Sequence, residues 1–84
     1  MPRIYLHSIQ RGEFWRVGYL DANLKTSVGR VFHYPSLDRV RDILTRANAD
    51  DAAREEFESG IRKWGIGACF LNLTDEQYRR LKRL

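Results

Sequence analysis

The chain has 84 residues, 43% of them hydrophobic and 31% charged, a balance that is typical of one small globular domain over residues 1–84 and excludes a disordered chain. Fifteen Lys and Arg residues against eleven Asp and Glu residues give a formal net charge of +4, which permits an anionic partner without requiring one. The single cysteine, Cys69, excludes an internal disulfide and favours a reducing, cytoplasmic setting.

The first part of the chain predicts a small sheet. Residues 3–34 are rich in Ile, Val, Tyr, Trp and Phe, which suit the half-buried surface of a strand. Turn signals at residues 10–13 and 21–25 divide this stretch into three strands. Connections this short produce an antiparallel meander, so we expect each strand to pair with the next.

Two helices are predicted to follow the meander. Ser36 is a good N-cap for a helix whose apolar residues recur at helical spacing up to Asn48. Asp50 or Asp51 is placed to cap a second helix, and Gly65 has the position of a residue that ends it.

A fourth strand and a last helix complete the predicted order. Residues 66–73 are apolar on both alternations, which predicts a strand that is covered on both faces or paired centrally. Thr74 and Gln77 have the spacing of a capping box, so a last helix begins there. The order β-β-β-α-α-β-α predicts an α+β fold with the helices packed on one face of a mainly antiparallel sheet.

The turn lengths also predict a register for the meander. If residues 11–12 form the first turn, His7 lies opposite Arg16; if residues 22–24 form the second, Arg16 lies opposite Arg30. Side chains then alternate between two faces. The expected core face carries Ile4, Leu6, Trp15, Val17, Tyr19 and Val31. The opposite face carries Tyr5, His7, Phe14, Arg16, Val28, Arg30 and Phe32.

This second face favours nucleic-acid binding as the function. It has no carboxylate, and its aromatic and arginine side chains are the types that stack on bases and contact phosphates. The last helix adds a basic segment that includes Arg79, Arg80 and Arg83. A purely structural interpretation stays open, in which a helix covers the apolar members of the face and the arginines extend into solvent. The choice between DNA and RNA also stays open.

A second interpretation is a protein-interaction module, such as a small inhibitor, an adaptor or a homodimer. Aromatic residues including Trp15, Trp64, Phe57 and Phe70 are the kind that anchor interfaces. The meander followed by a helix resembles the small modules that place a sheet in a DNA groove, such as the arm-binding domains of integrases. That likeness of architecture implies DNA binding as an expectation only, because fold does not determine function.

No catalytic, metal or membrane site is predicted. Cys69 lies in the most apolar strand and is expected to be an inert core residue. His7 and His33 lack an acidic partner nearby in the sequence, which makes them a poor zinc site. Apolar runs of a few residues predict no membrane span, and the N-terminus lacks the apolar core of a secretory signal. We therefore expect no enzyme activity, no cofactor and no small-molecule substrate.

Overall fold

The computed structural model describes residues 2–83. Within this part of the chain the elements are β1 (Arg3–Arg11), β2 (Phe14–Asp21), β3 (Phe32–Tyr34), α1 (Leu37–Arg46), α2 (Asp51–Trp64), β4 (Ile66–Asn72) and α3 (Asp75–Lys82). The strands form one antiparallel sheet in the order β3-β2-β1-β4, and the helices pack on one face of it. The predicted α+β fold and the predicted order of its elements are confirmed. Among residues 2–83 no helix combines the length and the apolar character needed to cross a lipid bilayer.

The core lies between the sheet and the helices, because alternate residues of each strand point toward the helices. In β1, Ile4, Leu6 and Ser8 are fully buried, whereas the residues between them are half-buried. Cys69 of β4 is also fully buried, as predicted, and its burial raises the pKa of the thiol to about 12, so the thiol stays protonated. The buried apolar core consists of Ile4, Leu6, Val17, Tyr19, Val28, Val40, Leu44, Ala53, Phe57, Cys69, Leu71, Leu73 and Leu81.

The helix ends follow the predicted local signals. The side chains of Ser36 and Asp50 accept backbone hydrogen bonds in the first turns of α1 and α2. Gly65 ends α2 with a left-handed φ of 69°, which glycine adopts without strain. The capping box is complete: the Gln77 backbone N–H donates to the Thr74 hydroxyl at 3.1 Å, and the Thr74 N–H donates to the Gln77 side-chain oxygen at 2.8 Å. The predicted helix ends are correct because each capping signal involves residues within one helical turn.

The first hairpin has a different register from the predicted one. Arg11 pairs with Phe14 across a two-residue turn that begins at Gly12, so His7 lies opposite Gly18 instead of Arg16. Gly12 takes a left-handed φ of 61° in this turn. Because the error in the register is an even number of residues, it leaves every side chain of β1 and β2 on its predicted face.

The second hairpin differs from the prediction both in its register and in the face that β3 presents to the core. Arg16 lies opposite His33, not Arg30, and Val17 lies opposite Phe32. This error is an odd number of residues, so it reverses the face of β3. Phe32 packs against the core, and Arg30 lies in the exposed connection before the strand. Two valines also exchange their predicted environments. Val28 is buried although it was expected on the face opposite the core, and Val31, expected in the core, is exposed.

The register of β3 differs from the predicted one because the connection between β2 and β3 is long. The Asp21 carboxylate organises this connection. One carboxylate oxygen accepts the backbone N–H groups of Asn23 and Leu24 at 2.8 and 2.9 Å, and the other accepts the Tyr78 hydroxyl at 2.7 Å. These hydrogen bonds, that of Leu24 first, lower the pKa of Asp21. The Val28 N–H then donates to the Tyr19 carbonyl, which turns Val28 inward. A three-residue turn is therefore replaced by an irregular loop anchored to α3.

Neither alternative predicted for β4 is right. One face of the strand is covered by the helices, but the alternate residues on its other face are half-buried or exposed. It is not a central strand: it stands at the edge of the sheet and pairs with β1. On its other side α2 approaches so closely that a Cβ at Gly60 would collide with the Ile66 carbonyl oxygen and lie 3.8 Å from the Ala68 nitrogen. At residues 66–68 the helix therefore covers the edge at which a further strand would pair.

Ser8 is the basis of the first stability prediction. It is fully buried in central strand β1, and its hydroxyl has no hydrogen-bond partner among residues 2–83. An unsatisfied buried hydroxyl costs about 1–3 kcal/mol. We expect Ser8→Ala to raise the free energy of unfolding by about 1 kcal/mol in urea denaturation. Ser27→Ala, at an exposed serine, should change it by less than about 0.5 kcal/mol. A clear loss of stability in Ser8→Ala would contradict the prediction.

Candidate functional site

The sheet face opposite the helices, here called the open face, is uncovered by any helix of residues 2–83. Its aromatic and aliphatic side chains are half-buried or exposed, with Phe14 49% and Ile66 40% exposed. None of the strand residues described on this face is acidic. The open face is formed by Arg3, Tyr5, His7, Ile9, Arg11, Phe14, Arg16, Gly18, Leu20, His33, Ile66, Ala68, Phe70 and Asn72.

An aromatic pair lies where β1 meets β4. The register places Tyr5 opposite Phe70, and their ring centroids are 4.9 Å apart at an interplanar angle of 60°. The Arg3 guanidinium carbon lies 4.1 Å from the centroid of the Phe70 ring, which is a cation–π contact. The three side chains form a compact group of two rings and one positive charge, held by the strand pairing itself.

A second group lies on the β2 side of the face. His7 lies over Gly18, where an added Cβ would be only 2.8 Å from the imidazole Nε2, so the ring occupies the space that the glycine leaves. Burial, and then the positive charge of Arg16, lowers the pKa of His7. The imidazole is therefore neutral at pH 7 and can offer both a donor and an acceptor. Arg16 itself lies between Ile9 and His33 and forms no ion pair with residues 2–83.

A cleft of about 350 Å³ opens at the β4 border of the open face, between the sheet and α2. Tyr5 belongs to both the open face and the cleft. The Trp64 side chain stands at the cleft with 76% of its surface exposed, the highest value among the exposed large apolar side chains of residues 2–83. The cleft is lined by Tyr5, Glu56, Ser59, Gly60, Lys63, Trp64, Ile66 and Ala68.

The structure brings together only part of the predicted site. The members that share the open face are Tyr5, His7, Phe14 and Arg16. Phe32 faces the core instead, and Arg30 lies outside the strands, because of the reversed face of β3. Arg3 was not among the predicted site residues, and Phe70 was predicted only as a possible interface anchor. Both join the open face only through the pairing of β1 with β4, which no local signal reveals.

The basic segment of α3 lies apart from the pair of rings. Leu81 of this helix is part of the core, so α3 packs on the helix side of the sheet. Arg80 forms an ion pair with Glu76 at 2.8 Å and borders, with Arg46, an apolar groove of about 320 Å³ between α1 and α3. Arg80 is therefore not part of the open face. Arg79 and Arg83 are exposed, and their contribution to binding stays a prediction.

The side chains of residues 2–83 bring no three His, Cys, Asp or Glu residues together in a group that could hold a metal ion. Comparison of the chain with family models, with curated proteins and with solved structures finds no significant match. The open face is therefore the feature of this chain from which a function can be inferred.

Proposed function

We propose that this chain is a small, non-enzymatic binding protein that contacts nucleic acid through the open face. The observation that carries the proposal is the uncovered sheet surface on which three aromatic rings and three arginines occur without a carboxylate among its described residues. Rings such as Tyr5 and Phe70 can stack on bases, and the Arg3 and Arg16 guanidinium groups can contact phosphates. The one cysteine is a free, buried thiol, which fits a cytoplasmic location.

A protein–protein interface is the second candidate function, because large apolar side chains are exposed. Phe14, Leu24 and Trp64 are 49%, 69% and 76% exposed. Such side chains are common anchors of a protein partner or of a second copy of the chain. Salt separates the two functions, since nucleic-acid binding weakens steeply as salt increases and apolar association does not.

The proposal predicts the effect of removing one guanidinium from the open face. We expect Arg16→Ala to weaken binding to duplex DNA, single-stranded DNA or RNA, whichever the wild-type chain binds. The slope of log affinity against log salt should fall by about 0.7–0.9 per lost phosphate contact. Fluorescence anisotropy of labelled oligonucleotides at several salt concentrations measures both quantities.

Arg39→Ala is the matched control, because Arg39 is exposed on α1, on the opposite side of the sheet. It removes the same charge and should leave the affinity nearly unchanged. If the folded wild-type chain binds none of these nucleic acids at low salt, the proposal is wrong. Light scattering run in parallel would then show whether the chain forms a homodimer or remains a monomer of 9.9 kDa.

A further inference from the structure

The cleft beside the open face is built by the close approach of α2 to β4. Gly65 reverses the chain in a left-handed conformation, so Trp64 ends the helix and Ile66 begins the strand. Gly60 has no side chain, and this allows the helix to contact the strand backbone at Ile66. The result is a cleft of about 350 Å³ with rigid elements on both sides.

Trp64 is unusually exposed for a large aromatic side chain of this cleft. Trp64 follows Phe57 by seven residues, a spacing that puts both on one side of α2, yet Phe57 is fully buried and Trp64 is 76% exposed. A large aromatic side chain held in water at the end of a rigid helix is a typical anchor for a ligand. Lys63 beside it supplies a positive charge, and Tyr5 connects the cleft to the aromatic pair of the open face.

We infer that this cleft binds one unpaired base of a single-stranded nucleic acid, with the base stacked on Trp64 and the adjoining phosphate bound by Lys63. The inference rests on the proposed function and names its substrate class. A base inside a duplex has both faces stacked and its pairing edge occupied, so it cannot enter a side cleft. A single strand offers free faces, and indole is a good stacking surface for them.

Glu56 determines which part of the nucleotide enters the cleft. Glu56 and Lys63 both line the cleft. The carboxylate repels a phosphate and the ammonium group attracts one, so the phosphate binds on the Lys63 side and the base on the Glu56 side. A carboxylate accepts hydrogen bonds from an exocyclic amino group such as that of cytosine. Oligo(dC) is therefore the appropriate probe, and its strand can continue from Ile66 at the cleft across Ile9 to Arg16, which lie in one row of the sheet.

The test measures binding of a labelled ten-nucleotide oligo(dC) by anisotropy at low salt. We expect Trp64→Ala to weaken binding by about 5- to 100-fold and Trp64→Phe to retain most of the affinity, because a ring still stacks. Leu24→Ala, which removes an equally exposed apolar side chain from a loop, is the control and should bind like the wild type. A duplex of the same length should bind more weakly than the single strand.

Tryptophan fluorescence supplies a second readout, since the chain has two tryptophans, Trp15 and Trp64. In the Trp15→Phe variant, oligo(dC) should quench the remaining emission with the affinity found by anisotropy. Normal binding by Trp64→Ala, together with weakened binding by Arg16→Ala, would overturn the inference and leave the proposed function standing. A wild-type chain that binds no nucleic acid would overturn both.

Discussion

Replacing Phe57 by alanine is expected to lower the free energy of unfolding by about 3–5 kcal/mol. Phe57 is the largest fully buried side chain of residues 2–83. Its ring lies directly on Gly67 of β4, where an added Cβ would be 2.7 Å from the ring Cζ. The alanine variant loses the buried ring and leaves a cavity between α2 and the sheet. A domain of this size has a total stability of only about 4–13 kcal/mol, so this single change removes a large part of it.

Urea denaturation monitored by circular dichroism measures the effect. Phe57→Leu is the matched control, because leucine keeps much of the apolar volume and should lose clearly less stability than alanine. A loss below about 1 kcal/mol for Phe57→Ala would mean that the helix closes over the vacated space, and the central role given to this ring would be wrong.

Replacing Gly60 by alanine is the second change with a large expected effect. In an isolated helix this substitution would be favourable by about 1 kcal/mol. Here the new Cβ would collide with the Ile66 carbonyl oxygen, which is backbone and cannot rotate away. The helix must therefore move off the strand, and we expect a net loss of about 1–3 kcal/mol in the free energy of unfolding.

Ser59→Ala, one position earlier in α2, is the comparison that isolates helix propensity from the collision. Thermal and urea unfolding measure the stability of both variants, and Ser59→Ala should be neutral or slightly stabilising. If Gly60→Ala were as stable as the wild type or more so, the contact between α2 and the edge of β4 would be looser than the structure indicates.

The sequence predicted most of what depends on neighbouring residues. Ser36, Asp50 and Gly65 define helix ends because capping involves hydrogen bonds and dihedral angles within one turn. The predicted register of β1 and β2 was wrong, but each of their side chains was assigned to the correct face of the sheet. Side chains alternate with a period of two residues, so a register error of an even number of residues does not change the face.

The features that the sequence did not predict depend on contacts between distant parts of the chain. The path into β3 is set by Asp21, whose carboxylate binds the hydroxyl of Tyr78, 57 residues later. The aromatic pair needs Phe70 to arrive beside Tyr5, and this requires the last strand to join β1 at the sheet edge. The part of the candidate site that β4 contributes was therefore beyond the reach of turn signals and periodicity.

The contact of α2 with β4 also limits how copies of this chain can polymerise. Fibril growth and strand exchange proceed by adding a new strand to an exposed edge, whose free N–H and C=O groups act as a template. Along β4, the Ile66 carbonyl and the Ala68 amide lie against Gly60 of the same chain, so α2 blocks this part of the template. The opposite edge is β3, which has three residues, Phe32–Tyr34, and is too short to recruit a long partner strand. Strand addition is therefore restricted along both edges, and a second copy that packs on the open face instead would compete with a ligand for that surface.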